Sequence, residues 1–226
     1  MYEKARELAD ANGWFLAHQF ETADNATIHE NTTGQEILAD FAGDRLDYWV
    51  TGYGTGGTIT GVSRVLRKER PDTKIILSEP TNAPIVGSGI VQERTVDNAP
   101  AVSHSAFQSH PIQGWAPDFV PYVLQEAIDN QYYDELVPIA GPDAIHWSQQ
   151  LAQKEGILTG ISAGATFGVA MQLAEKAEPG SVILAMLPDT GERYLSSPLF
   201  EGIAEEMTQE EIELSHSTAG YQMATV

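Results

Sequence analysis

The chain predicts a three-layer α/β domain built around a mainly parallel sheet. Three observations point there. Strand-like and helix-like segments alternate from residue 47 onward, the pattern of β–α–β units. A glycine-dense turn joins one strand directly to a helix. Residues 181–187 form an unbroken apolar run, as expected of a strand buried on both faces.

Taken in order, residues 2–12 read as a short helix closed by Gly13. Residues 14–20 read as a strand and 25–33 as a polar loop. Thr33-Gly34-Gln35-Glu36 opens a helix that ends near Gly43. A strand over 47–52, a helix over 58–70 and a strand over 74–79 follow, the last centred on Ile75, Ile76 and Leu77. Residues 80–118 look irregular, because six of the twelve prolines fall between Pro71 and Pro117. Order returns with a helix over 120–130, a strand over 135–139 and a helix over 143–155. A strand over 158–162 and a helix over 165–177 precede the 181–187 run. The acidic segment from Glu205 reads as a surface helix followed by a frayed end.

The 226 residues suit one large domain plus a remnant of another, and 42% hydrophobic content supports a substantial core. No apolar run approaches membrane-spanning length, and residues 1–10 lack the apolar stretch of a signal peptide. A soluble, cytoplasmic protein is expected. The absence of cysteine excludes disulfides, thiolate metal sites and a cysteine nucleophile. Twelve Lys and Arg against 32 Asp and Glu give a net charge of −20, which repels nucleic acid and anionic membrane alike. The acidity fits an ordinary soluble enzyme or adaptation to high salt, where repulsion is screened.

The six histidines show no metal spacing, and no serine sits in a G-x-S-x-G context. The four tryptophans are expected to pack the core. The most informative stretch is Thr51-Gly52-Tyr53-Gly54-Thr55-Gly56-Gly57-Thr58-Ile59-Thr60-Gly61, with five glycines in ten residues. Such a turn brings backbone N–H groups close to a ligand, and the helix that follows adds free donors and a positive dipole end. A phosphate is the expected occupant, with Thr55 and Thr58 as hydroxyl donors. Gly52, Gly54 and Gly57 also satisfy G-x-G-x-x-G, and Glu79 ends the next strand where a ribose-binding acid would sit. A dinucleotide site is therefore a rival. Pro80 directly after Glu79 and the helix preceding this strand weigh against it.

Further segments carry a family resemblance. Residues 54–62 look like the phosphate loop of the cysteine synthase (O-acetylserine sulfhydrylase) family. Gly160-Ile161-Ser162-Ala163-Gly164-Ala165 resembles that family's serine turn beneath the cofactor ring. Pro188-Asp189-Thr190-Gly191-Glu192-Arg193-Tyr194-Leu195-Ser196 is similar to its C-terminal signature. Gln19-Phe20, Thr32 to Ile37 and Ile112-Gln113-Gly114 match in the same order. The resemblance implies a tryptophan synthase β-like fold, with residues 1–22 a remnant of the small N-terminal domain and 23–226 the large domain. It implies pyridoxal phosphate as cofactor, cysteine formation from O-acetylserine and sulfide, and a homodimer. Gly54, Thr55, Gly56, Gly57 and Thr58 would hold the cofactor phosphate. Ser162 would meet the pyridine nitrogen, Gln19 the substrate carboxylate, and Asp189 reads as a turn former. Ser162 also reads as a helix N-cap.

The family's Schiff-base lysine lies in a glycine- and serine-rich segment that has no counterpart here. Lys4, Lys68, Lys74, Lys154 and Lys176 all sit in polar contexts and read as solvated surface residues. The chain is expected to begin within the last helix of the small domain and to lack a catalytic residue of its own. A non-catalytic or regulatory module is therefore an alternative to an enzyme. In the loop Ser109 to Ala116, Pro111 replaces a lysine of many relatives and Trp115-Ala116 a glycine-containing pair. That loop receives the tail of serine acetyltransferase in the family, so the changes bear on this possible partner.

Overall fold

The computed structural model describes residues 2–217. Four parallel strands form one sheet: β1 (Tyr48–Gly52), β2 (Lys74–Pro80), β3 (Glu135–Ile139) and β4 (Ile183–Ala185), in the order β3-β2-β1-β4. The central strands are the continuously buried ones. Trp49 and Val50 of β1 and Ile75, Ile76 and Leu77 of β2 are all shielded from solvent. Pro138, which has no N–H to donate, sits in edge strand β3.

Eight α-helices accompany the sheet among the described residues: α1 (Tyr2–Asn12), α2 (Asp24–Asn31), α3 (Thr33–Asp40), α4 (Gly57–Glu69), α5 (Tyr122–Asp129), α6 (Gly141–Gln150), α7 (Ile161–Ala174) and α8 (Gln209–His216). The chain advances from β1 through β2 to β3, then crosses back to place β4 on the other side of β1. Parallel crossovers are right-handed, so reversing direction puts the connecting helices on the opposite face. Accordingly, α2, α3 and α5 gather round α4, while α6 and α7 pack together with α7 against β1, β3 and β4. These are the three layers expected. Ile59, Val62 and Leu66 of α4 and Ile161, Ala165 and Val169 of α7 complete the core. Each buried Val, Leu or Ile among them contributes about 1.5–3 kcal/mol.

Several expectations need correction. Residues 14–20 are not a strand: Trp14 and Phe15 are 63% and 93% exposed, and the segment joins no described strand before a turn at His18 with φ +49°. Trp14 is therefore not a core residue, whereas Trp49 and Trp115 are; Trp147 is half-buried, edge-on to Phe167. The polar stretch 25–33 is mostly helical, as α2. Residues 158–162 contribute an isolated Thr159–Thr190 bridge, and α7 already begins at Ile161. The 181–187 run supplies only the three residues of β4, all half-buried, because β4 pairs on one side alone among the described residues. Residues 143–155 are helical, but the last turn, Leu151–Glu155, widens to a π-helix before Gly156 at φ +70°. Helix α8 is exposed and acidic, capped by the reciprocal Thr208–Glu211 box. The expected frayed end lies beyond the described residues.

Candidate functional site

Strand order reverses at β1, between β2 and β4, and open parallel sheets place ligands outside the carboxyl ends of strands at such a point. Residues 53–56 leave β1 there and lead into α4. Gly56 caps α4 in the left-handed region, φ +90°. A Cβ on it would lie 2.6 Å from the Leu124 Cα of α5. Only glycine fits that turn, for conformation and for space.

The loop presents donors. Among the described residues, the backbone N–H groups of Gly54, Thr55, Gly56, Thr58 and Ile59 have no protein acceptor, while Gly57 N–H donates to Thr55 Oγ1 at 3.3 Å. Gly56, Gly57 and Ile59 are buried. Buried backbone donors are almost always satisfied, so a cluster lacking acceptors at a helix N-terminus fits an anion. A phosphate group fits these residues.

Helix α2 supports the loop from behind. It crosses α4 so closely that a Cβ on Gly57 would meet Asn25 Oδ1 at 1.9 Å, and one on Gly61 would meet the Ala26 carbonyl at 2.1 Å. Asn25 Nδ2 donates to Thr55 Oγ1 at 2.9 Å and to the Gln19 carbonyl at 2.7 Å. His29 Nε2 lies 3.2 Å from Thr58 Oγ1 and its Nδ1 2.9 Å from Thr33 Oγ1. Neither Asn25 nor His29 was singled out from sequence. Their only local signal is a four-residue spacing within a polar stretch, which places both on one helix face.

Over the end of β1 lies the 109–116 loop. The Trp115 indole occupies the space a Cβ on Gly52 would need, 1.9 Å from Cε2. Ala116 N–H donates to the Tyr53 carbonyl at 2.9 Å. Pro111 packs against Gly141.

Glu79 is committed to structure. It is 2% exposed and accepts from Tyr53 Oη at 3.0 Å, Val86 N–H at 3.1 Å and Gly87 N–H at 2.9 Å. Burial raises its pKa against those hydrogen bonds. A carboxylate so enclosed cannot grip a ribose, which removes the dinucleotide reading.

Ser162 is buried at the second position of α7; the N-cap is Gly160, so Ser162 is not the cap. Gly160 N–H meets the Asp189 carbonyl at 3.3 Å beyond the end of β4, which puts Ser162 at the same sheet edge as the glycine loop. Asp189 shapes that turn: Tyr194 Oη donates to its Oδ2 at 2.5 Å. Gln19 lies exposed in the turn before α2, and its carbonyl is tied to the glycine loop through Asn25. All five lysines are exposed: Lys4, Lys68 and Lys74 pair with Glu7, Glu69 and Asp134. No group of metal-ligating side chains exists among the described residues, and none of their helices is long and apolar enough to cross a membrane.

Residues 1–189 match the family described as pyridoxal-phosphate dependent enzyme. The chain belongs to that family. It is 48% identical over 201 residues to the O-ureido-L-serine synthase of Streptomyces lavendulae, covering 89% of this chain and 56% of that protein. It is 37% identical over 198 residues to cysteine synthase of Staphylococcus aureus strain N315, covering 88% and 57%. A crystal structure of O-ureido-L-serine synthase superposes with TM-score 0.80 at 45% identity, over 94% of this chain and 61% of that one. Cysteine synthase from Entamoeba histolytica superposes with TM-score 0.72 at 29% identity, over 95% and 57%. The chain thus spans a little over half the length of these relatives. As a member of that family it has pyridoxal phosphate as its cofactor, a group whose phosphate the donor-lined loop could accept.

Proposed function

We propose that this chain supplies the cofactor-binding part of a β-replacement enzyme that converts O-acetyl-L-serine and sulfide to cysteine and acetate. The observation that supports it most is the cluster of N–H donors without acceptors between Gly54 and Ile59, backed by Thr55 and Thr58. Gly54, Thr55, Gly56, Gly57 and Thr58 hold the cofactor phosphate. Bound pyridoxal phosphate supplies the electron sink that lets the substrate lose its β-substituent and accept a nucleophile. Ser162 offers the pyridine nitrogen a neutral hydroxyl, which leaves that nitrogen without a counter-charge. Gln19 takes the substrate carboxylate. The proton at the substrate Cα needs a buried amine of depressed pKa, and the five exposed lysines do not provide it. That amine comes from a lysine outside these residues, and this chain alone is inactive.

A second reading concerns the nucleophile. The higher identity to O-ureido-L-serine synthase, 48% against 37%, favours a β-replacement whose product carries a ureido group on the serine oxygen. We read residues 1–22 as belonging to a smaller domain, and the assembly as a cytoplasmic homodimer. A regulatory role, with the cradle kept and catalysis lost, accounts for the exposed lysines equally well.

The test is cysteine formation from O-acetyl-L-serine, sulfide and pyridoxal phosphate. The chain is assayed alone and mixed with an N-terminal fragment that carries the family lysine. Product only in the mixture is expected. A mixture that stays silent while binding pyridoxal phosphate would leave the regulatory reading in possession.

A further inference from the structure

Both threonine hydroxyls of the glycine loop are bonded from the same helix, and the bonding fixes where their protons point. Thr55 Oγ1 accepts from Asn25 Nδ2 at 2.9 Å and from Gly57 N–H at 3.3 Å. With its lone pairs engaged, its own proton is left to donate elsewhere. Thr58 Oγ1 lies 3.2 Å from His29 Nε2, and His29 Nδ1 lies 2.9 Å from Thr33 Oγ1. A neutral imidazole donates from one nitrogen and accepts at the other. If Nδ1 donated to Thr33, Nε2 would take the Thr58 proton and leave that hydroxyl nothing to offer an anion. If Nε2 donates, Thr33 supplies the proton to Nδ1, and Thr58 keeps its own for the cradle.

We propose that Asn25 and His29 are positioning residues that commit the hydroxyl protons of Thr55 and Thr58 to a bound phosphate, His29 acting as the Nε2–H tautomer. The inference rests on the cradle reading above and extends it to side chains that touch no phosphate themselves. Their four-residue spacing on α2 and the close crossing at Gly57 and Gly61 are what bring both to the loop. Burial holds the His29 imidazole below its usual pKa, so the neutral form, in which tautomer choice matters, prevails near neutral pH.

The experiment titrates the chain with inorganic phosphate, followed by 31P NMR. His29→Gln keeps a donor where Nε2 sits, His29→Asn keeps only one where Nδ1 sits, and His29→Leu keeps neither. Losing one hydrogen bond to a charged group should weaken phosphate binding roughly tenfold in His29→Leu and His29→Asn, whereas His29→Gln should stay within about threefold of the parent. In a Thr58→Val background, His29→Leu should have no further effect. Asn25→Ala should weaken binding to a similar degree through Thr55. Equal affinities for the Gln, Asn and Leu variants, or an undiminished effect of His29→Leu without the Thr58 hydroxyl, would overturn the proposal while leaving the cradle intact. Failure of the unsubstituted chain to bind phosphate would overturn both. Urea midpoints of the three His29 variants separate a folding defect from a binding one.

Discussion

Replacing Gly56 by alanine separates the two demands placed on the glycine loop. Gly56 has φ +90°, and a Cβ there would lie 2.6 Å from both Cα and Cβ of Leu124 and 2.7 Å from its backbone nitrogen. The left-handed backbone costs an L-residue about 1–2 kcal/mol. Forcing α5 aside adds about 1–3 kcal/mol, because backbone, unlike a flexible side-chain tip, must move with its helix. The sum, roughly 2–5 kcal/mol, is a large part of the ~5–15 kcal/mol that holds a domain together. Gly114 is the control: its φ is +93°, yet a Cβ there has nothing within 4 Å. Gly114→Ala should therefore incur only the backbone term of about 1–2 kcal/mol. Urea unfolding of the two variants, at equal slope, should show a clearly larger midpoint loss for Gly56→Ala. Equal losses would mean that α5 does not constrain the loop, and the steric account of Gly56 would fail.

Two further substitutions test the supports of the site. Tyr53→Phe removes the hydroxyl that donates to Glu79 at 3.0 Å and should lower stability by about 1.5–3 kcal/mol, the worth of a hydrogen bond to a charged group; an unchanged urea midpoint would show that Val86 and Gly87 suffice to hold Glu79. Asp134 concerns acid stability. Burial alone would raise its carboxyl, but hydrogen bonds from Arg67 at 2.8 Å and Ile75 N–H at 2.7 Å, with the charges of Arg67 and Lys74, outweigh burial and hold it below the usual range. A carboxyl depressed in the folded state contributes stability that is complete above its unfolded pKa of about 3.9 and disappears as pH falls through the folded value. Asp134→Asn should therefore reduce stability at pH 7 and flatten the acid limb of the stability profile below about pH 4; an acid limb identical to the parent's would contradict the pairing.

The glycine loop was legible in the sequence because its constraint is local: five glycines in ten residues mark a backbone that must turn tightly and come near something. The central strands were legible for the same kind of reason, as apolar runs bounded by turns. Helix α2 was not. Its sequence, Asp24 to Asn31, is polar with little amphipathic periodicity, and what holds it is the close crossing with α4 at Gly57 and Gly61, set by residues more than twenty positions away. Asn25 and His29 were hidden with it. The stretch 14–20 misled in the opposite sense, since apolar composition alone cannot tell a strand from an irregular segment with Trp14 and Phe15 exposed. Glu79 sat where a ribose-binding acid belongs, and only its enclosure by Tyr53, Val86 and Gly87 reveals its structural role.

The central claim is that the glycine loop holds pyridoxal phosphate by its phosphate while no lysine of this chain anchors it. The most direct measurement is pyridoxal phosphate binding with and without excess inorganic phosphate, followed by borohydride reduction and peptide mapping. The account predicts binding that inorganic phosphate displaces, with no single lysine labelled. Binding indifferent to inorganic phosphate, or one specifically labelled residue among Lys4, Lys68, Lys74, Lys154 and Lys176, would contradict it.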